Sequence, residues 1–170
     1  MSFKPGMIAD TIVKKDGTNQ LVGLANVSLP DVERAAEEIK GLGIAAYEEV
    51  LPIINSAMTT TLSWIEMNPG MYLAGALNTA LIISAAIAGT ESSTHINAYK
   101  KLVATVKGKF KKKAGGELGA ASKNNRDDEI ATTYYKLEID GQVIHEIDTL
   151  NGICICNGED LYAELAKNLQ

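Results

Sequence analysis

Few residues in this chain have the type and spacing to do chemistry. Gly41-Leu42-Gly43-Ile44-Ala45-Ala46 has the G-x-G-x-x-A spacing of a dinucleotide-binding turn, whose glycines let backbone amides approach a pyrophosphate. Such a turn needs a buried strand ahead of it. The residues there are Glu37-Glu38-Ile39-Lys40, so a flexible turn is expected instead. Cys154 and Cys156 are two apart and share one face if extended. The only imidazoles, His95 and His145, are distant in sequence, which leaves too few partners for a zinc site, so the cysteines are expected to be small buried hydrophobes. The carboxylate neighbours Glu48-Glu49 and Asp127-Asp128 would point to opposite faces of a strand, a poor arrangement for paired acid–base work. Neither G-x-S-x-G nor H-E-x-x-H occurs. No catalytic residue, metal site or cofactor is expected, and the chain reads as a non-enzyme.

The remaining chemical signal is charge. Residues 100–125 carry eight lysines against one carboxylate, Glu117, whereas residues 126–170 carry three basic and ten acidic groups. The net charge of -5 is thus a sum of opposed patches that can attract one another within a subunit or between copies. Lys107-Gly108-Lys109-Phe110-Lys111-Lys112-Lys113 has the makings of a phosphate or anionic-lipid site, but reads better as a solvated strand face running into a loop. The overall acidity argues against a nucleic-acid binder, and 5% aromatic residues argue against a base-stacking platform. With 170 residues, 46% hydrophobic and 22% charged, one globular domain spanning 1–170 is expected. The N-terminus lacks the apolar core of a secretory signal, so folding in a reducing cytoplasm is expected.

The elements that must position these groups are mostly strands. Residues 7–14 and 21–30 flank an Asp-Gly turn and predict a hairpin. Residues 47–55 and 57–67 are strand-like. In the second, Met58, Thr60, Leu62 and Trp64 fall on one side and Thr59, Thr61, Ser63 and Ile65 on the other. Asp31 to Lys40 favours helix by composition. Asn68-Pro69-Gly70 reads as a helix start, with Asn68 as the cap and a helix from Met71 to about Leu77. Ala80 to Ala88 suits a strand buried on both faces. Residues 67–90 contain no charged residue and are long enough to span a bilayer, but polar interruptions make a buried helix and strand the better reading. Ile96 to Lys113 is a long strand, 115–125 a polar mobile loop, and Arg126–Ile139 with Gln142–Ile147 a hairpin across Asp140-Gly141. In simple register His145 faces Lys136 and both hairpin faces are half apolar, which suggests cover by a second subunit. Ile153 to Cys156 is a last strand, and Glu159 to Leu169 an amphipathic helix.

Thr133-Tyr134-Tyr135-Lys136-Leu137-Glu138-Ile139-Asp140-Gly141, followed by Glu146-Ile147-Asp148, Asn151-Gly152 and Asn157-Gly158-Glu159-Asp160, resembles the C-terminal signature of the major tail tube proteins of contractile-tailed phages and R-type bacteriocins. Ser28-Leu29-Pro30 and Glu37-Glu38-Ile39-Lys40-Gly41-Leu42-Gly43-Ile44 resemble that family's strand and glycine loop, without its usual aromatic near Ile39. The resemblance implies a mainly β (α+β) fold, two packed antiparallel sheets forming a barrel-like sandwich with a short flanking helix, and an extended Asp31–Lys40. It implies homo-hexameric rings stacked into a hollow tube, a conduit for DNA or ions inside a contractile sheath. The implied partners are further copies, the sheath protein, baseplate and tail terminator proteins, and a tape measure protein or DNA held in the lumen without sequence-specific binding. The target membrane is met only on injection. The implied location is a virion tail or bacteriocin particle, assembled in the host bacterial cytoplasm. Within this frame the candidate inter-ring contacts are Lys40, Gly41, Leu42, Gly43, Lys107, Lys109 and Lys111. Thr59, Thr61 and Ser63 are candidate lumen lining, and Tyr134, Lys136, Glu138, Val143 and His145 a candidate subunit-interface hairpin. The alternatives are a secretion-system tube protein carrying effectors in its ring, a membrane protein anchored by 67–90, and a small enzyme with an unrecognised site.

Overall fold

Alternation of inward apolar and outward polar side chains builds most of the molecule. The structure, a computed structural model, describes residues 2–18, 20–65, 67, 69–121 and 126–169. The strands are β1 (Phe3–Lys15), β2 (Leu21–Ser28), β3 (Arg34–Gly41), β4 (Ile44–Ile54), β5 (Thr59–Trp64), β6 (Asn78–Glu91), β7 (Asn97–Lys113), β8 (Arg126–Ile139), β9 (Gln142–Asp148), β10 (Ile153–Cys156) and β11 (Glu159–Asp160). Two short helices, α1 (Gly70–Leu73) and α2 (Ala163–Asn168), complete the described elements.

Nine strands form one antiparallel sheet in the order β11-β10-β9-β8-β5-β2-β1-β6-β7, and β7 pairs back onto β8. The strands from β8 round to β7 therefore close into a barrel, which removes the exposed edges an open sheet would leave. β8 makes this possible by its length. Its first half pairs with β5, from Thr59↔Ala131 to Trp64↔Arg126, and its second half with β9, while β7 runs along the other edge. The second sheet is the β3–β4 hairpin alone. The fold is thus mainly β with two antiparallel sheets, as the resemblance implies.

Residues two apart fill the barrel. Met58, Thr60, Leu62 and Trp64 are all buried, as are Leu81, Ile83, Ala104, Val106, Ile130 and Tyr135. Inside, the hydroxyls of Thr60 and Thr132 share a hydrogen bond of 2.7 Å. Asp128 is also buried. It accepts from Trp64 Nε1 at 2.9 Å, Arg126 Nε at 3.1 Å, Arg126 Nη2 at 3.0 Å and the Ala114 amide at 3.1 Å. The Arg126 guanidinium also lies 4.5 Å from the Tyr72 ring centroid. Gly108 sits where β7 and β8 shift register, and a Cβ there would collide with the Ala131 carbonyl oxygen. Gly108→Ala is expected to cost about 1–3 kcal/mol through that forced backbone shift, read as a lower urea midpoint.

Several local expectations are corrected. Asp31–Lys40 forms no helix: Arg34–Gly41 is strand, because pairing with β4 outweighs propensity. Ala80–Ala88 lies in a strand buried on one face only. Leu81, Ile83 and Ala85 point into the core, whereas Ala80, Ile82, Ser84 and Ala86 are half-buried on the outside. α1 ends at Leu73, with Pro69 rather than Asn68 in the cap position, and Asn68 lies outside the described residues. Part of the 115–125 loop, residues 122–125, also lies outside them. The expected helix from Glu159 begins instead with β11, paired through Cys156↔Glu159, and is helical only over Ala163–Asn168. Among the described residues no helix is long and apolar enough to cross a membrane, and 78–90 is strand.

Candidate assembly surfaces

The β3–β4 hairpin is an arm. Gly43, at φ 84°, makes its turn, and among the described residues β3 and β4 pair only with each other. Both faces are open: Ile39, Leu42, Ile44, Tyr47, Val50 and Leu51 are all exposed, Leu42 completely. The glycine loop is therefore a hairpin tip, and it places Lys40, Gly41, Leu42 and Gly43 at the far end of the arm. Glu48 and Glu49 do point to opposite faces, but each directly opposes a second carboxylate: Glu37↔Glu49 and Glu38↔Glu48. One cation answers within the arm, Lys40 Nζ at 3.0 Å from Glu38. Among the described residues, three hydrogen bonds beyond the strand ladder hold the root. Arg34 Nη2 donates to Cys156 Sγ at 3.5 Å, the Ile54 amide to the Tyr162 hydroxyl at 3.2 Å, and the Asn55 amide to the Glu33 carbonyl at 2.9 Å. Cys154 is buried, as expected, and Cys156 is half-buried.

The basic strand is β7. Val106 and Phe110 turn inward while Lys107, Lys109 and Lys111 are exposed. Opposed charge is met partly within the chain. Lys107 lies 3.6 Å from Asp16, while Lys111 and Lys112 lie 3.2 and 3.5 Å from Glu129. The hydrogen bond from Lys111 holds the Glu129 carboxyl below its usual range. Lys111 Nζ also donates to Thr59 Oγ1 at 3.1 Å, so the basic strand and the proposed lining strand meet. Thr59, Thr61 and Ser63 form the half-buried outer face of β5, opposite Ala131, Glu129 and Asp127. Sequence reasoning missed those two carboxylates as members of this face. Their alternation along β8 was the available signal, but the β5–β8 pairing was not.

The β8–β9 hairpin departs from its expected register. Asp140 and Gly141 both have positive φ, as a tight Asp-Gly turn requires, but a bulge at Ile144 then shifts the pairing. His145 therefore opposes Leu137 instead of Lys136, and Glu146 opposes Lys136. The shift sorts the faces. Tyr135 and Ile147 face the core, while Tyr134, Lys136, Glu138, Glu146 and Asp148 share the outer side. The mixed faces that pointed to a covering subunit are thus an artefact of simple register. Val143 stays with Glu138, and His145 leaves that set. On the outer side the Tyr134 hydroxyl donates to Glu146 at 3.0 Å and Lys136 lies 3.2 Å from Glu138.

Burial, with Glu146 adding to it at Tyr134, pushes the Tyr134 and Tyr135 hydroxyls up to about 12. Both values lie above the ordinary tyrosine value near 10, so the stability they contribute is complete below about pH 10 and is lost as pH rises toward 12. The folded chain is expected to show a tyrosinate absorbance step near pH 12 that moves toward pH 10 in denaturant. Its guanidinium midpoint is expected to be lower at pH 11 than at pH 8.

Among the described residues no group of three or more His, Cys, Asp or Glu side chains could hold a metal ion. Residues 5–169 match the sequence model of a family described as phage tail tube protein FII. A search of curated proteins found no match to the chain.

Proposed function

The chain belongs to the phage tail tube protein FII family, a structural family and not an enzyme one, and from that premise we propose that it assembles into hexameric rings stacked as the hollow inner tube of a contractile injection machine. Its role is to be a tail component. In this reading all of 1–170 acts as one tube unit, built in the bacterial cytoplasm, sheathed by a contractile partner, and bounded by baseplate and terminator proteins. A tape measure protein or DNA occupies the lumen, and the target membrane is met on injection.

The observation that carries the reading is the arm. An isolated two-stranded hairpin is marginal in water, and one with large apolar side chains exposed on both faces is an aggregation hazard unless a partner covers it. A chain that keeps such an arm keeps it for assembly. Six-fold closure uses a heterologous contact, and stacking uses a second, open-ended one. The arm tip, Lys40 to Gly43, and Lys107, Lys109 and Lys111 serve the contact between rings. The outer side of the β8–β9 hairpin, Tyr134, Lys136, Glu138 and Val143, serves the contact within a ring. Thr59, Thr61 and Ser63, beside Asp127 and Glu129, line the lumen, where a polar wall whose nearby lysines, Lys111 and Lys112, are already paired with Glu129 lets a polyanion pass without gripping its phosphates.

Sedimentation or native mass measurement across a concentration series tests the ring. Species at six times the 18.1 kDa chain mass, or multiples of that ring, are expected. A closed ring of another copy number would overturn the hexamer.

A further inference from the structure

We propose that the arm of one copy seats its tip in an open groove on a neighbouring copy, with the arm's carboxylates on the groove's lysine rim. The inference rests on the tube reading and adds to it the receptor site and the charges that recognise it. The groove measures about 590 Å³ and lies where β1, β6, β7 and β8 run side by side. Its floor is apolar and shallow, including Ala80, Ala131 and Leu150, and Lys15, Lys107 and Lys109 stand around it. None of the arm's residues lines the groove of its own chain.

Polarity and charge agree. Lys107 and Lys109 stand together on the outward face of β7, opposite Ala80 and Asn78 of β6, and so form a basic edge along the apolar floor. The tip offers Leu42 and Ile44, both exposed, to the small-residue floor. Glu38 lies four residues behind Leu42, about 13 Å along the strand, with Glu48 directly opposite it and the Glu37↔Glu49 pair next in line. Like charges directly opposed across a hairpin destabilise it. Three of these four carboxylates have no ion-pair partner among the described residues, since Lys40 answers Glu38 alone. A cationic rim on another copy turns that repulsion into attraction. On the rim, Lys109 has no carboxylate within ion-pair distance among the described residues. Lys107 is held by a solvent-accessible pair with Asp16 and by its position 5.2 Å over the Tyr134 ring, both weak enough to exchange.

The test is a charge swap in the full chain, with circular dichroism confirming that each variant is folded. Glu48→Lys/Glu49→Lys alone and Lys107→Glu/Lys109→Glu alone are each expected to raise the concentration needed for tube formation by at least about tenfold. The four substitutions combined are expected to restore much of the loss. Assembly of the unaltered protein is expected to need more protein as salt rises. Carbodiimide cross-linking of mixed isotope-labelled copies is expected to join Glu48 or Glu49 of one copy to Lys107 or Lys109 of another. If tubes form but either double variant assembles at the ordinary concentration, if the combination fails to rescue, or if the cross-links map elsewhere, the seating is wrong and the tube reading stands. If the unaltered chain forms no tube at any salt concentration, the tube reading itself falls.

Discussion

Replacing Asp128 with alanine is expected to destabilise the chain by about 3–5 kcal/mol, a fall in thermal midpoint of roughly 10–15 °C for a domain of this size. The carboxylate accepts hydrogen bonds from Trp64, from two nitrogens of Arg126 and from the Ala114 amide, and both charged partners are buried. Removing it strands a guanidinium where water cannot reach it. Arg126 Nη1 has no hydrogen-bond partner among the described residues, so the face of the Tyr72 ring, 4.5 Å away, is what remains against that charge. Burying the pair is itself of little net benefit, because desolvation offsets the attraction. Arg126→Met with Asp128→Leu is therefore expected to recover part of the loss, the Trp64 Nε1–H and the Ala114 amide staying without their acceptor. Urea unfolding of the two single variants and the double gives the coupling directly. A single-variant loss below about 1 kcal/mol would mean that water enters the site in solution.

The second large effect falls on assembly. Excising residues 36–51 and joining 35 to 52 through an Asn-Gly turn is expected to leave the barrel folded, with a midpoint within about 3 °C of the intact chain. It is expected to abolish tubes at any attainable concentration. Among the described residues β3 and β4 pair with nothing but each other, and no residue of 36–51 belongs to the buried core. A variant that loses both fold and assembly would show that the arm is structural. One that keeps both would remove the arm from the assembly account.

Particular residues show how far the sequence could be read. The alternation Met58, Thr60, Leu62, Trp64 placed β5 correctly and oriented both its faces, because half-burial imposes period two. The Asp140-Gly141 turn was legible from its demand for positive φ at both positions. The Ile144 bulge was not. It is stabilised by where Ile147 and Glu146 end up, a tertiary gain with no local signature. Ala and Glu in Asp31–Lys40 spoke for helix, and only pairing with β4 overrides them. Of the candidate assembly surfaces, the arm tip and the lysine strand were visible as a glycine turn and a charge run. The opposed glutamates and the groove depend on register and on strands distant in sequence, and no spacing encodes either.

Electron microscopy of the detergent-free purified protein decides whether this chain builds a tube. Rings and stacked hollow tubes of uniform diameter, six copies to a ring, are expected. Dispersed monomers that stay monomeric at high protein concentration and low salt would rule the tube out.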